Sequence, residues 1–203
     1  MKIIFFDFDG VLVNTTELNF KLHKNVNGNL TLEKFKEFSE GNFHKGIGKA
    51  IKEDNYVIPN NYSELYENGL SEINIHNILR DTILHLKDKY KLAIISSTGS
   101  LSISNFLKRE GLDEYFDDIL GSDINTDKTD KIKSILEKYN IVSKDAVFIT
   151  DTLGDIIEAE KCGVRSIGVT WGLHGRETLE KGNPVTIIDD PRDLENAINN
   201  VLK

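Results

Sequence analysis

The sequence predicts an α/β protein, with a mostly parallel sheet, helices on both faces and a small helical unit inserted near the start. Three observations lead there. Ile3-Ile4-Phe5-Phe6, Leu92-Ala93-Ile94-Ile95 and Ala146-Val147-Phe148-Ile149-Thr150 are strand-sized apolar runs without period-2 alternation, as suits strands buried on both faces. From Ile75 onward such runs alternate with helix-spaced apolar stripes, the pattern of repeated βα units. Residues 14–75, by contrast, are helical in pattern with polar breaks and no clear strand, so they read as an insertion into a core made of residues 1–13 and 76–203.

In chain order, the first strand, Ile3 to Phe6, ends in Asp7-Phe8-Asp9-Gly10. Asn14-Thr15-Thr16 with Glu17 can start a helix in which Leu18, Leu22 and Val26 share a face. Asn27-Gly28-Asn29 breaks it, and Thr31 can cap the next, where Leu32, Phe35 and Phe38 recur at helical spacing. Gly41-Asn42 ends that helix, and Gly46 and Gly48 predict a loose turn before a further helix from Lys49 to Glu53. Another spans Ser63 to about Ile73, after Pro59-Asn60-Asn61.

The second half is more regular. Ile78, Leu79, Ile83 and Leu86 stripe a helix ending at Lys87-Asp88-Lys89, and the strand Leu92 to Ile95 runs into the small-residue loop Ser96-Ser97-Thr98-Gly99-Ser100. Ile103, Phe106 and Leu107 mark a helix stopped by Gly111, and Phe116 to Leu120 includes a short strand. Ile132, Ile135, Leu136 and Tyr139 stripe a helix, Asp151 closes the strand that begins at Ala146, and Ile156, Ile157 and Ala159 lead to Gly163. Strands from Arg165 to Val169 and from Val185 to Ile188 follow, and Pro191 opens a last helix carrying Leu194, Ala197, Ile198 and Val201.

Bulk composition narrows the function. With 203 residues, 39% hydrophobic and 29% charged, a conventional core is expected and disorder is not. A net charge of −8 argues against nonspecific nucleic-acid binding, which needs a basic footprint. It leaves room for an anionic substrate, because a bound divalent cation reverses the local sign. The longest apolar runs fall far short of a membrane span, and no secretory signal opens the chain, so a soluble cytoplasmic protein is expected. Cys162 is the only cysteine, which rules out an internal disulfide or a cysteine metal cluster.

Polar groups gather at the predicted strand ends. Asp7 and Asp9, at i and i+2 on an extended backbone, face the same side, and Gly10 lets the chain turn away. Taken alone, the pair reads equally well as turn and cap residues or as a nucleophile or metal ligand beside an acid/base. Ser96 and Ser97 follow the second strand, Lys128 stands near a helix start, and Asp151 and Asp155 follow a later strand. In a parallel sheet these ends lie on one side, where ligands bind. Carboxylates from Asp7 and Asp151 suit a hard cation such as Mg²⁺ that also takes phosphate oxygens and water. Ser96 and Lys128 can hold the remaining oxygens of a phosphoryl group, with Ser97 or Thr98, and Lys131 or Lys133, as alternatives of the same type.

In this order the motifs resemble those of the haloacid dehalogenase-like hydrolases: Asp7-Phe8-Asp9-Gly10-Val11-Leu12, then Ile95-Ser96-Ser97, then Lys128, then Asp151-Thr-Leu-Gly-Asp155. Arg165 to Gly172 and the run to Leu194 look like the phosphoglycolate phosphatase and β-phosphoglucomutase branch. The resemblance implies a Rossmann-like core with a helical cap inserted after the first motif. It also implies a Mg²⁺-dependent phosphatase acting on a small phosphorylated metabolite. In that reading Asp7 is the nucleophile that forms an aspartyl-phosphate, and Asp9 protonates the leaving oxygen and then activates water. Ser96, Ser97 and Lys128 hold the phosphoryl group. Asp7, the Asp9 backbone carbonyl and Asp151 bind the metal, with Asp155 in or near its shell. Related enzymes present substrate-selecting groups from a cap turn, which makes His44 and Lys45 candidate contacts. A phosphoglucomutase-type phosphotransferase shares the same motifs, and a non-catalytic phospho-ligand-binding protein is the alternative of another class. The chain departs from the family pattern in three places: Thr150 precedes Asp151, Asn14-Thr15 stands where Asp-Ser is frequent, and no proline follows Lys128.

Overall fold

β1 (Ile3–Phe6) lies at the centre of a six-stranded sheet in the computed structural model, which describes residues 1–125 and 127–203. The order is β3-β2-β1-β4-β5-β6, with β2 Lys91–Ile95, β3 Asp118–Leu120, β4 Ala146–Thr150, β5 Arg165–Val169 and β6 Thr186–Ile188. Every neighbouring pair is parallel. All-parallel pairing needs both faces covered, and the side chains of β1 show how. Ile4 and Phe6 join a core with α5 (Asn77–Lys87), α6 (Ser100–Glu110) and α10 (Leu194–Val201); Ile3 and Phe5 join one with α7 (Lys128–Tyr139) and α8 (Leu153–Glu160). The apolar run of β1 is therefore continuous because two cores share it.

Strand order reverses direction between β1 and β4, the switch point at which open α/β sheets leave a crevice at the strands' C-terminal ends. Phe6 is level with Ile149, and Asp7 N donates to the Ile149 carbonyl at 3.0 Å. The chain thus leaves β1 beside the end of β4, which places Asp7 next to Asp151.

Between β1 and α5 run α1 (Thr16–Val26), α2 (Leu32–Glu37), α3 (Phe43–Glu53) and α4 (Tyr62–Ser71). Thr31 caps α2 by accepting from Lys34 N, as its position predicts. Phe35, Phe38, Ile47, Ala50 and Tyr56 form a separate small core that also takes Leu173, from the loop after β5. Val26 is exposed and does not share the Leu22 face.

The expected loose turn at Gly46 and Gly48 is corrected: both lie inside α3, which begins at Phe43 instead of Lys49. Asn42 supplies the start by accepting from Lys45 N, and Phe43, Ile47 and Ala50 keep one face on the small core, so tertiary packing outweighs the glycines. A short helix, α9 (Arg176–Glu180), was not anticipated from the sequence. Pro191 begins a single 3₁₀ turn that leads into α10. Among the described residues no helix is long and apolar enough to cross a membrane.

Candidate active site

Lys128 is the first residue of α7, started by Asp127, whose side chain accepts from Thr129 N. Its ammonium is buried and donates to Asp7 Oδ2 at 2.8 Å and to Asp155 Oδ2 at 2.6 Å. Asp155 lies in the first turn of α8 and also accepts from Thr150 Oγ1 at 2.8 Å. Burial works against the lysine charge, yet the negative Asp155 and Asp7 outweigh it and hold Lys128 above the ordinary lysine value. For Asp155 burial is likewise outweighed, chiefly by Lys128, so its carboxyl sits below the usual range. Asp7 goes the other way. Burial pushes it well above, Lys128 opposes, and the nearby Asp155 and Asp151 add to the rise.

Asp151 follows β4 and is wedged between two glycines. A Cβ at Gly10 would stand 1.9 Å from its Oδ2, and one at Gly172 would stand 2.2 Å away. Gly10 also takes a φ of +73°, so glycine is required there twice over. Asp151 Oδ2 accepts from Leu173 N at 2.7 Å, while its Oδ1 is buried with no hydrogen-bond partner. Burial pushes this carboxyl up to about 7, against the Leu173 bond. An orphaned carboxylate oxygen beside a second buried carboxylate is what a hard divalent cation would satisfy.

Among the described residues no group of three or more His, Cys, Asp and Glu side chains forms a ready-made metal cage. Asp7 accepts from Phe8 N and Lys128, and Asp155 Oδ2 from Lys128 and Thr150, so among these three acids Asp151 Oδ1 is the buried oxygen left without a hydrogen-bond partner. That suits a small divalent ion that keeps water and takes phosphate oxygens alongside one or two carboxylates.

Asp9, two residues on, is held quite differently. Its Oδ1 accepts from Thr15 Oγ1 at 2.5 Å, Tyr66 OH at 2.7 Å and Asn19 Nδ2 at 3.3 Å, and its Oδ2 from Thr98 Oγ1 at 2.6 Å. Its partners come from the segment after β1, from α1, from α4 and from the loop after β2. One acid therefore sits with a buried ammonium and the other in a ring of neutral donors.

A cavity of about 450 Å³ joins them, lined by Asp7, Asp9, Lys128, Asp151 and Asp155 from the sheet side and by residues of α1 to α4. Ser97 lines it; Ser96 is fully buried behind the loop, its Oγ accepting from Thr98 N and its carbonyl from Lys131 Nζ at 2.6 Å. His44 reaches the cavity from the first turn of α3. Its Nε2 is buried without a hydrogen-bond partner, and burial together with the positive Lys131 and Lys128 keeps the ring below its usual value. Lys45 does not line the cavity and pairs with Asp127 at 3.3 Å on the surface.

Nothing local in the chain marks Asn19 or Tyr66, which reach Asp9 only through the fold. Thr15 and Thr98 lie close enough to their motifs that a search for short hydroxyl donors would have found them. Lys131, noted only as an alternative to Lys128, is buried one turn along α7, and burial and then Lys128 push it down to about 8.

The segment carrying α1 to α4 is pinned against the sheet on this side. Gly154 N donates to the Ser39 carbonyl at 2.9 Å, and Asn42 Nδ2 to Glu158 Oε1 at 2.9 Å. His174 accepts from Leu153 N through Nδ1 and lies 3.0 Å from the Lys36 carbonyl through Nε2.

The family profile described as haloacid dehalogenase-like hydrolase matches residues 4–169, and the chain belongs to that family. It is similar to the pyrophosphatase PpaX of Bacillus anthracis, with 25% identity over 206 aligned residues, 96% of this chain and 95% of that protein. Solved structures share the fold. A hydrolase from Pseudomonas syringae superposes with a TM-score of 0.83 at 19% identity over 100% of both chains. A predicted phosphoglycolate phosphatase from Haemophilus somnus gives 0.75 at 20% identity over 98% of both.

Proposed function

We propose that this protein is a Mg²⁺-dependent phosphatase that hydrolyses a small phosphorylated metabolite through an aspartyl-phosphate. The observation that carries the reading is the split environment of the two acids, with Asp7 beside the Lys128 ammonium and Asp9 among neutral donors. Phosphoryl transfer asks mainly for positioning and charge stabilisation, and one acid to attack phosphorus with another to move the proton is a sufficient set.

In this reading Asp7 attacks phosphorus, and the bond to the leaving oxygen breaks. Asp9 donates its proton to that oxygen, so the alcohol departs neutral. Asp9, now a carboxylate, takes a proton from water as the water oxygen attacks the phosphoryl phosphorus. The bond from phosphorus to Asp7 breaks, and inorganic phosphate is released. Lys128 offsets charge beside Asp7 throughout, Ser97 presents its hydroxyl to the phosphoryl oxygens, and Thr98 holds Asp9. Asp7 and Asp151, with the Asp9 carbonyl, would hold Mg²⁺, which when bound supplies positive charge against the phosphoryl oxygens. Residues 14–75 serve as the cap over the core formed by 1–13 and 76–203, supported by the Gly154–Ser39 and Asn42–Glu158 bonds.

The test is phosphate release from a panel of metabolite phosphates with and without Mg²⁺, run on wild type and Asp7→Asn. Release that needs the metal, together with acid-stable protein-bound phosphate from a labelled ester that is absent in Asp7→Asn, is expected. A folded, metal-supplied protein that releases nothing from any ester would overturn the reading. So would an Asp7→Asn variant with near-wild-type turnover. Isomerised sugar phosphate in place of free phosphate would identify a mutase.

A further inference from the structure

The cavity is much larger than a phosphoryl group, and large apolar side chains make up much of the wall supplied by the inserted helices, among polar ones such as Asn19, Ser39, His44 and Ser63. Phe35, Phe43, Ile47, Ile51, Ile58 and Tyr62 all line it. Tyr62 stacks on Tyr66 at 5.9 Å between ring centroids, and Phe35 meets Phe43 edge-on at 6.2 Å. These are flat and aliphatic faces that favour an apolar or aromatic body over a charged one.

Cations are arranged the opposite way. Lys128 is the only lysine or arginine among the described lining residues, and its ammonium is already shared between Asp7 and Asp155. Lys45 and Lys49 of α3 pair with acids outside the lining: Lys45 with Asp127, and Lys49 with Glu53 at 3.7 Å. Burial, then the ammonium groups of Lys131 and Lys128, hold the His44 ring below its ordinary value. A substrate carrying a second anion beyond its transferring phosphate would find no further lysine or arginine among the described lining residues to offset that charge, a costly arrangement beside so much apolar surface.

We propose that the leaving group is an uncharged alcohol bearing a flat ring, seated against Phe35, Phe43, Ile51 and Tyr62, and that esters with a second phosphate or a carboxylate are poor substrates. This rests on the phosphatase reading and specifies the substrate class of the same site.

The experiment compares kcat/KM for benzyl phosphate, phosphoglycolate and pyrophosphate on the Mg²⁺-supplied protein. Benzyl phosphate is expected to lead both anionic substrates by about tenfold or more, the scale on which pocket complementarity discriminates. Ile51→Lys places a cation in the lining at a residue 43% exposed, where the substitution does not disturb the buried core. It is expected to raise kcat/KM for phosphoglycolate relative to benzyl phosphate by about tenfold. Ile58→Lys, at a residue 44% exposed, repeats the test from another part of the wall. If phosphoglycolate or pyrophosphate matches or exceeds benzyl phosphate, the inference is wrong while the phosphatase reading stands. If no ester turns over, the phosphatase reading fails, and binding decides the inference separately. Benzylphosphonate should then raise the melting temperature more than methylenediphosphonate, and the reverse order would overturn the proposal.

Discussion

The Tyr66 hydroxyl donates to Asp9 Oδ1 across 2.7 Å, so an acid fixed by the end of β1 is held in part by a helix inserted after it. Burial, then the negative Asp9, pushes the phenol well above its ordinary value, so it stays a donor throughout the neutral range. A hydrogen bond to a charged group is worth about 1.5–3 kcal/mol. Where Asp9 moves the proton, Tyr66→Phe is expected to lower kcat about tenfold, with KM changed less, because Thr15, Asn19 and Thr98 still hold the carboxylate. Steady-state kinetics on any turned-over ester checks this. An unchanged kcat would show that those three donors position Asp9 without the helix.

Lys128 lies at the opposite pole of the site. Its ammonium is the cation that Asp7 and Asp155 share, and all three side chains are at least nine-tenths buried. Lys128→Met keeps much of the volume but leaves two buried carboxylates facing each other. Removing one partner of a buried ion pair costs about 3–5 kcal/mol. Urea denaturation at neutral pH should show a loss of that size. Paired with Asp155→Asn, the loss should shrink, since the double variant leaves one buried carboxylate fewer.

What the sequence made legible divides along a physical line. Three central strands, β2, β1 and β4, could be read because burial on both faces forces unbroken apolar runs, and Asp7, Asp151 and Lys128 because strand ends and helix starts fix where they emerge. The partners of Asp9 could not be read, because Asn19 and Tyr66 lie on helices whose docking is decided by packing far along the chain. Ser96 and Ser97 were indistinguishable in sequence; only the turn of the loop buries the first and leaves the second at the cavity. Lys131 stood beside Lys133 as an alternative to Lys128, and nothing local marks which of them will end up donating to a buried carbonyl.

The least legible stretch was the start of α3, and it carries a prediction of its own. Gly46 and Gly48 both sit in helical backbone, but their surroundings differ. A Cβ at Gly48 meets nothing within 4 Å, whereas one at Gly46 would stand 2.5 Å from the Phe38 carbonyl oxygen. Alanine is favoured over glycine in a helix interior by about 0.8–1 kcal/mol. Gly48→Ala should therefore stabilise the protein by up to that amount. Gly46→Ala should destabilise it, because the contact is with backbone and α2 would have to move away. Thermal melts of the two variants should fall on opposite sides of wild type, and a stabilised Gly46→Ala would contradict the close packing of α2 on α3.

His23 gives the inserted helices a pH dependence separate from that of the acids. It is only 2% exposed, packed between Tyr56 and Tyr62, with its Nδ1 2.6 Å from the Tyr56 hydroxyl. Burial pushes its pKa down from 6.5 to about 4. Between those values the unfolded chain binds the proton and the folded protein does not, so stability falls as pH drops from 6.5 toward 4 and is full above 6.5. At 1.36 kcal/mol per pH unit the whole effect is on the order of 3 kcal/mol. Urea midpoints measured from pH 7 to pH 4.5 should fall more steeply for wild type than for His23→Gln, which keeps an acceptor for Tyr56 and does not titrate. Parallel slopes would mean that His23 takes up its proton inside the folded protein, and that the aromatic packing around it admits the charge.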